Sequence, residues 1–137
     1  MSGVSVKQMK VQKLAGFNRI YQAECFPDEV EKMLGKSMGD KKRYMKWLNE
    51  RLLVLDRDGM DVLDLVQFEH LRGTHKPKLY AIRHPHSKVN ERYIFLFTLG
   101  ENSLLLTAFK EKNIHDYTRA IKRAENIYSE LEEYHER

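Results

Sequence analysis

Residues 17–26 alternate apolar and polar side chains around Ile20, Gln22 and Glu24, the period of two that a half-buried strand shows. Pro27-Asp28 then opens a helix with Val30, Met33 and Leu34 on one side, and Gly35 and Gly39 break it. A second helix is expected from about Asp40, because Tyr44, Trp47, Leu48, Leu52 and Leu55 recur at steps of three and four. Arg57-Asp58-Gly59 stops it. Residues 60–73 are ambiguous by pattern: Val62, Leu65, Val66 and Leu71 fit a short helix packed on the core, with Gly73 at its end.

Three strands follow, Lys78 to His84, Arg92 to Thr98 and Ser103 to Phe109. The middle one is apolar on both faces and is therefore central. Leu99-Gly100-Glu101-Asn102 closes the hairpin between the last two, since Gly and Asn tolerate positive φ. Asp116 caps a last helix to about Tyr134, with Tyr117, Ile121, Ala124, Ile127, Tyr128 and Leu131 as its apolar stripe. The expected fold is α+β: an N-terminal strand and two helices, a three-stranded antiparallel meander with helices on one side, and a C-terminal helix. Residues 17–137 form one domain, and residues 1–16 are an N-terminal extension. The aromatics Tyr80, Tyr93, Phe95 and Phe97 are expected in the core rather than on an RNA-stacking surface.

Composition narrows the class. A chain of 137 residues with 42% hydrophobic residues can bury a core unaided. Its one cysteine, Cys25, forms no internal disulfide and no four-thiolate zinc site, and it reads as a structural thiol. No run approaches the roughly 18 apolar residues of a membrane span, and no leader pattern opens the chain. A cytoplasmic protein without membrane contact is expected.

The net charge is +4 and it is clustered. Lys7, Lys10, Lys13 and Arg19 share the first 20 residues with no acid. Lys76, Lys78, Arg83, Lys88 and Arg92 stand against Glu91 alone. The tail is acidic, with Glu125, Glu130, Glu132, Glu133 and Glu136 against Arg123 and Arg137. Such patches suit a polyanion or an acidic partner.

Alternation places Leu79, Ala81 and Arg83 on one face, so Arg83 emerges at the end of an apolar row. In a meander, that end adjoins Lys110 and Lys112, with only Glu111 as a nearby acid. Guanidinium and ammonium groups gathered there suit phosphate. His115-Asp116-Tyr117 opens the last helix, where imidazole and phenol could stack on bases or exchange protons. His84-Pro85-His86 lacks the further ligands that a metal site needs, and no metal or other cofactor is expected.

Residues 68–131 resemble the RelE/ParE toxin superfamily, above all its phage-type HigB branch. The resemblance rests on Phe68-Glu69-His70-Leu71-Arg72-Gly73, Leu79-Tyr80-Ala81-Ile82-Arg83 and Glu91-Arg92-Tyr93-Ile94-Phe95-Leu96-Phe97. It continues through Leu104-Leu105-Leu106-Thr107-Ala108-Phe109-Lys110-Glu111-Lys112 and the helix with Ile121 and Ala124. The chain departs from the family pattern at Ala81, where a glutamate is usual, at Glu111, which splits the paired lysines, and at Arg92, which precedes Tyr93.

The resemblance implies a RelE-like fold and the toxin of a type II toxin–antitoxin system. It implies an endoribonuclease that cuts ribosome-bound mRNA without metal, by attack of the 2′-hydroxyl on the adjacent phosphodiester. Arg83 would stabilise the phosphorane, Lys110 or Lys112 would hold phosphate or act as base, and Tyr117 would orient or protonate a base or leaving group. Lys76, Lys78, Arg92 and His115 would contact RNA. The implied partners are a cognate antitoxin, mRNA and the ribosome. The alternative is a non-catalytic ParE-like toxin or phage-derived relative that acts by binding a protein.

Overall fold

The computed structural model describes residues 9–35, 38–74, 76–98 and 100–131. The expected roles of Lys7, Leu99, Glu132, Glu133, Tyr134, Glu136 and Arg137 fall outside the described residues. The elements are β1 (Val11–Lys13), β2 (Ile20–Ala23), α1 (Phe26–Leu34), α2 (Met38–Asp58), a 3-10 turn (Gly59–Asp64), β3 (Phe68–His70), β4 (Tyr80–Arg83), β5 (Glu91–Phe97), β6 (Ser103–Lys110) and α3 (Ile114–Ser129).

The class is α+β. Six strands form one mixed sheet in the order β1-β2-β6-β5-β4-β3. Strands β3 to β6 pair antiparallel in sequence, and β2 joins β6 in parallel. The antiparallel run thus has one strand more than expected. That strand is β3, in the segment whose pattern had been ambiguous and which the resemblance matched to a strand; the 3-10 turn before it buries only Val62, and Phe68 pairs with Ile82. Within the segment set apart as an extension, Val11–Lys13 pairs with β2, and the Met9 amide donates to the Glu130 carbonyl at 3.0 Å.

Helices cover both faces of the sheet rather than one. Strand β5 is buried at all seven positions, so each of its faces needs a cover. On one face, α1 and α2 set Phe26, Val30, Tyr44, Leu48, Leu52 and Leu55 against Phe68, Tyr80, Tyr93, Phe95 and Phe97. On the other, Ala120, Ala124 and Ile127 of α3 meet Leu79, Ala81, Ile94, Leu96 and Leu106. The aromatics of the sheet are core, as expected.

Local chemistry sets the helix ends. Pro27 presets φ in the first turn of α1, and Gly35 ends it at φ 77°, a backbone state that favours glycine. Among the described turn residues of the β5–β6 hairpin, Glu101 takes the positive φ of 61° that glycine or asparagine had been expected to take. The cap of α3 is Asn113, three residues ahead of the expected Asp116. Its side chain accepts from the His115 amide at 2.9 Å and the Asp116 amide at 3.2 Å. Asp116 returns the contact, accepting from the amides of Lys112 (2.9 Å) and Asn113 (3.2 Å). These bonds, Lys112 first, and the Arg119 guanidinium hold the Asp116 carboxyl below its ordinary value. Asn113→Ala removes half of this reciprocal box. It is expected to cost about 1 kcal/mol, read as a lower thermal midpoint by circular dichroism.

Candidate functional site

Strand β4 ends, β5 begins and β6 ends at one edge of the sheet. In register, Arg83 faces Arg92, and Arg92 faces Phe109. Alternation puts both arginines on the α3 face, together with Glu69 of β3, which stands opposite Ala81. Position 81 itself carries only a methyl group, and a carboxylate occupies the facing position on the neighbouring strand.

Glu69 bridges the two guanidinium groups. One oxygen lies 2.7 Å from Arg92 Nη1, and the other lies 4.0 Å from Arg83 Nη1. On its other side, Arg92 Nε stands 3.1 Å from Glu111 Oε1, an ion pair whose angle does not make a hydrogen bond. The arginines differ in access. The Arg92 side chain is 11% exposed and held between two carboxylates, whereas that of Arg83 is 37% exposed and its Nε has no partner.

Tyr117 completes the cluster from the first turns of α3, with its ring edge-on to Phe109 at 6.3 Å. Burial, and then the negative charges of Glu69 and Glu111, push its hydroxyl above the ordinary tyrosine value. The hydroxyl therefore keeps its proton at physiological pH.

The structure does not gather all the expected residues in one place. Arg83, Arg92 and Tyr117 share this cluster. Lys110 and Lys112 instead line a groove of about 560 Å³ between α1, the end of β6 and α3, with Lys32, Phe109 and Arg123 among its walls. His115 is exposed on the first turn of α3. Lys76 and Lys78 lie on the β3–β4 connection, at the opposite end of β4. Five residues of extended chain, about 16 Å, separate Lys78 from Arg83. Phosphate-binding cations without an acid other than Glu111 had been expected; the cluster holds Glu69 as well. Glu69 was missed because its strand is only three residues long, and only the β3–β4 register brings it to Arg83.

A buried polar knot on the opposite face fixes the β4–β5 loop. Glu91 is fully buried and accepts from Ser87 Oγ at 2.7 Å and Tyr93 Oη at 3.3 Å, with His84 Nδ1 at 2.7 Å. The His84 ring stacks on Trp47 at 3.8 Å, so this histidine belongs to the packing. Burial and Glu91 push the Tyr93 hydroxyl far up. The loop then ties down Glu111. Asn90 Nδ2 donates to the Glu111 carbonyl at 2.7 Å, and the Glu111 amide donates to the Asn90 carbonyl at 3.1 Å.

Glu29 fastens α1 beside the groove. It accepts from Thr107 Oγ1 at 2.7 Å and from Arg123 Nε at 3.0 Å. Burial alone would raise its carboxyl, but the hydrogen bonds of Arg123 and Thr107 and the Arg123 charge hold it below the ordinary 4.5. A carboxyl depressed in the folded state adds stability above its unfolded value, and that stability is lost as the pH falls through the folded value. Glu29→Gln is therefore expected to flatten the fall in thermal midpoint as the pH drops below about 5. An unchanged acid limb in melting scans would contradict this. Burial, and then the Glu29 charge, push the half-buried Cys25 thiol up, away from the reactive thiolate.

Among the described residues, no helix is long and apolar enough to cross a membrane, and no group of three or more His, Cys, Asp or Glu is placed to hold a metal. No family model matches the chain, and no curated protein matches it.

Proposed function

We propose that this chain is an endoribonuclease toxin of the RelE/HigB type, with the edge where β4, β5 and β6 meet as its cleavage site. One observation carries the reading. An accessible guanidinium, Arg83, stands on one face of the sheet with a carboxylate, Glu69, and the same carboxylate lies near a tyrosine held in its neutral form. Consecutive antiparallel strands followed by a helix across them support the RelE-like arrangement.

The chemistry follows from these groups. The Glu69 carboxylate takes the proton of the 2′-hydroxyl as the oxygen bonds to phosphorus. Arg83 offsets the charge that builds on the phosphorane oxygens. The bond from phosphorus to the 5′-oxygen breaks, and Tyr117 gives that oxygen a proton. The products are a 2′,3′-cyclic phosphate and a 5′-hydroxyl. Arg92, buried between Glu69 and Glu111, positions the carboxylates rather than the RNA. The base falls to Glu69 in place of Lys110 or Lys112, whose ammonium groups belong to the neighbouring groove. An antitoxin that covers this edge would silence it.

The test is induced expression followed by mapping of mRNA 5′ ends. New ends are expected inside reading frames with the wild type and not with Arg83→Ala. A second reading rests on the near balance of charge in the cluster, where Glu69 and Glu111 offset both arginines. There the face binds a protein, as a ParE-like toxin would, and growth stops with mRNA intact.

A further inference from the structure

Charge is unevenly distributed in the groove between α1 and α3. Its two acids are already engaged, Glu29 by Arg123 and Thr107, and Asp116 by Arg119 and the helix-capping amides. Among the described residues, the ammonium groups of Lys32, Lys110 and Lys112 take part in no ion pair. Three cations outside any ion pair thus face one trough, whose volume of about 560 Å³ is that of a ligand site. Its wall also carries an aromatic ring, Phe109.

The trough adjoins the proposed cleavage cluster. Phe109 is the cross-strand partner of Arg92, and neighbouring strands lie about 5 Å apart. The ring of Phe109 also meets that of Tyr117 at 6.3 Å. Phe109 therefore borders both the trough and the cluster.

We infer that this groove is the track for single-stranded RNA flanking the cut, with Lys32, Lys110 and Lys112 on its phosphates and Phe109 against one base. Cations spaced along an open trough with an aromatic in its wall are how proteins hold single strands without reading sequence. An acidic peptide would use the lysines but has no need of the ring. The inference rests on the nuclease reading and extends it to substrate binding. It also gives Lys110 and Lys112 a binding part that requires no proton transfer.

The experiment measures fluorescence anisotropy of a labelled, uncleavable 2′-O-methyl oligoribonucleotide, titrated with protein at several salt concentrations. Loss of three phosphate contacts on a single strand lowers the slope of log affinity against log salt by about 2. The triple variant Lys32→Ala, Lys110→Ala, Lys112→Ala is expected to show that drop and at least about tenfold weaker binding at low salt. Phe109→Leu, which keeps an apolar side chain, is expected to weaken binding at least about fivefold. Equal affinity and slope for wild type and triple variant would overturn the track, and if the wild type still cleaves RNA the nuclease reading survives. Weakened binding of poly-glutamate with unchanged RNA binding would assign the groove to an acidic protein instead. A wild type that binds no oligoribonucleotide and cuts none would end both.

Discussion

Arg83→Ala is expected to slow RNA cleavage about 10²- to 10³-fold, the usual loss when one preorganised charge is removed from a phosphorane or oxyanion. The fold is expected to survive. The Arg83 side chain is 37% exposed, and its 4.0 Å contact with Glu69 is of the kind worth under about 1 kcal/mol. Cleavage rates on a model mRNA, with a melting curve of the same preparation, separate the two effects. Arg83→Lys is expected to recover only part of the rate, because an ammonium group lacks the planar fork that binds two phosphate oxygens. A wild-type rate in the alanine variant would remove Arg83 from the chemistry.

Phe95→Ala is expected to be the most damaging substitution for stability, costing about 3–5 kcal/mol. The ring is fully buried, edge-on to Phe97 at 5.2 Å and Phe68 at 6.4 Å and tilted against Tyr80 at 5.8 Å. For a domain of this size that corresponds to about 10–20 °C in the thermal midpoint. The result also separates two meanings of an aromatic sheet. Rings that stack on RNA stand in solvent and are cheap to remove, whereas rings that pack under α1 and α2 are not.

The parts of this molecule that were legible in its sequence are those that repeat. The stripe Tyr44, Leu48, Leu52, Leu55 disclosed α2, and the doubly apolar run 92–98 disclosed the central strand. Alternation from Leu79 to Arg83 placed the guanidinium on the α3 face, with Leu79 and Ala81 buried beneath that helix. The parts that escaped depend on pairing between distant segments. No local pattern announces that Ile20 runs parallel to Ser103, or that Val11 reaches Ala23. Doubly buried β5 did imply a second covering layer, and α3 supplies it.

At the site, Arg83 was legible because a charge ended an apolar row. Glu69 was hidden because three residues are too few to show a period. The cap of α3 did carry a signal, an Asn113 three residues before Asp116, which is the spacing of a reciprocal box. Lys76 and Lys78 look close to Arg83 along the chain, but a strand separates its two ends, so the nearness did not carry into space.

One carboxylate–arginine–tyrosine cluster is proposed to cut RNA by way of the RNA's own 2′-hydroxyl. The most direct test is end-group analysis of mRNA incubated with translating ribosomes and the purified chain, wild type beside Glu69→Gln. The proposed cleavage is expected to leave 2′,3′-cyclic phosphate and 5′-hydroxyl ends with the wild type, and at least about a hundredfold fewer with the variant. Intact mRNA with the wild type, or the same ends at the same rate from Glu69→Gln, would contradict it.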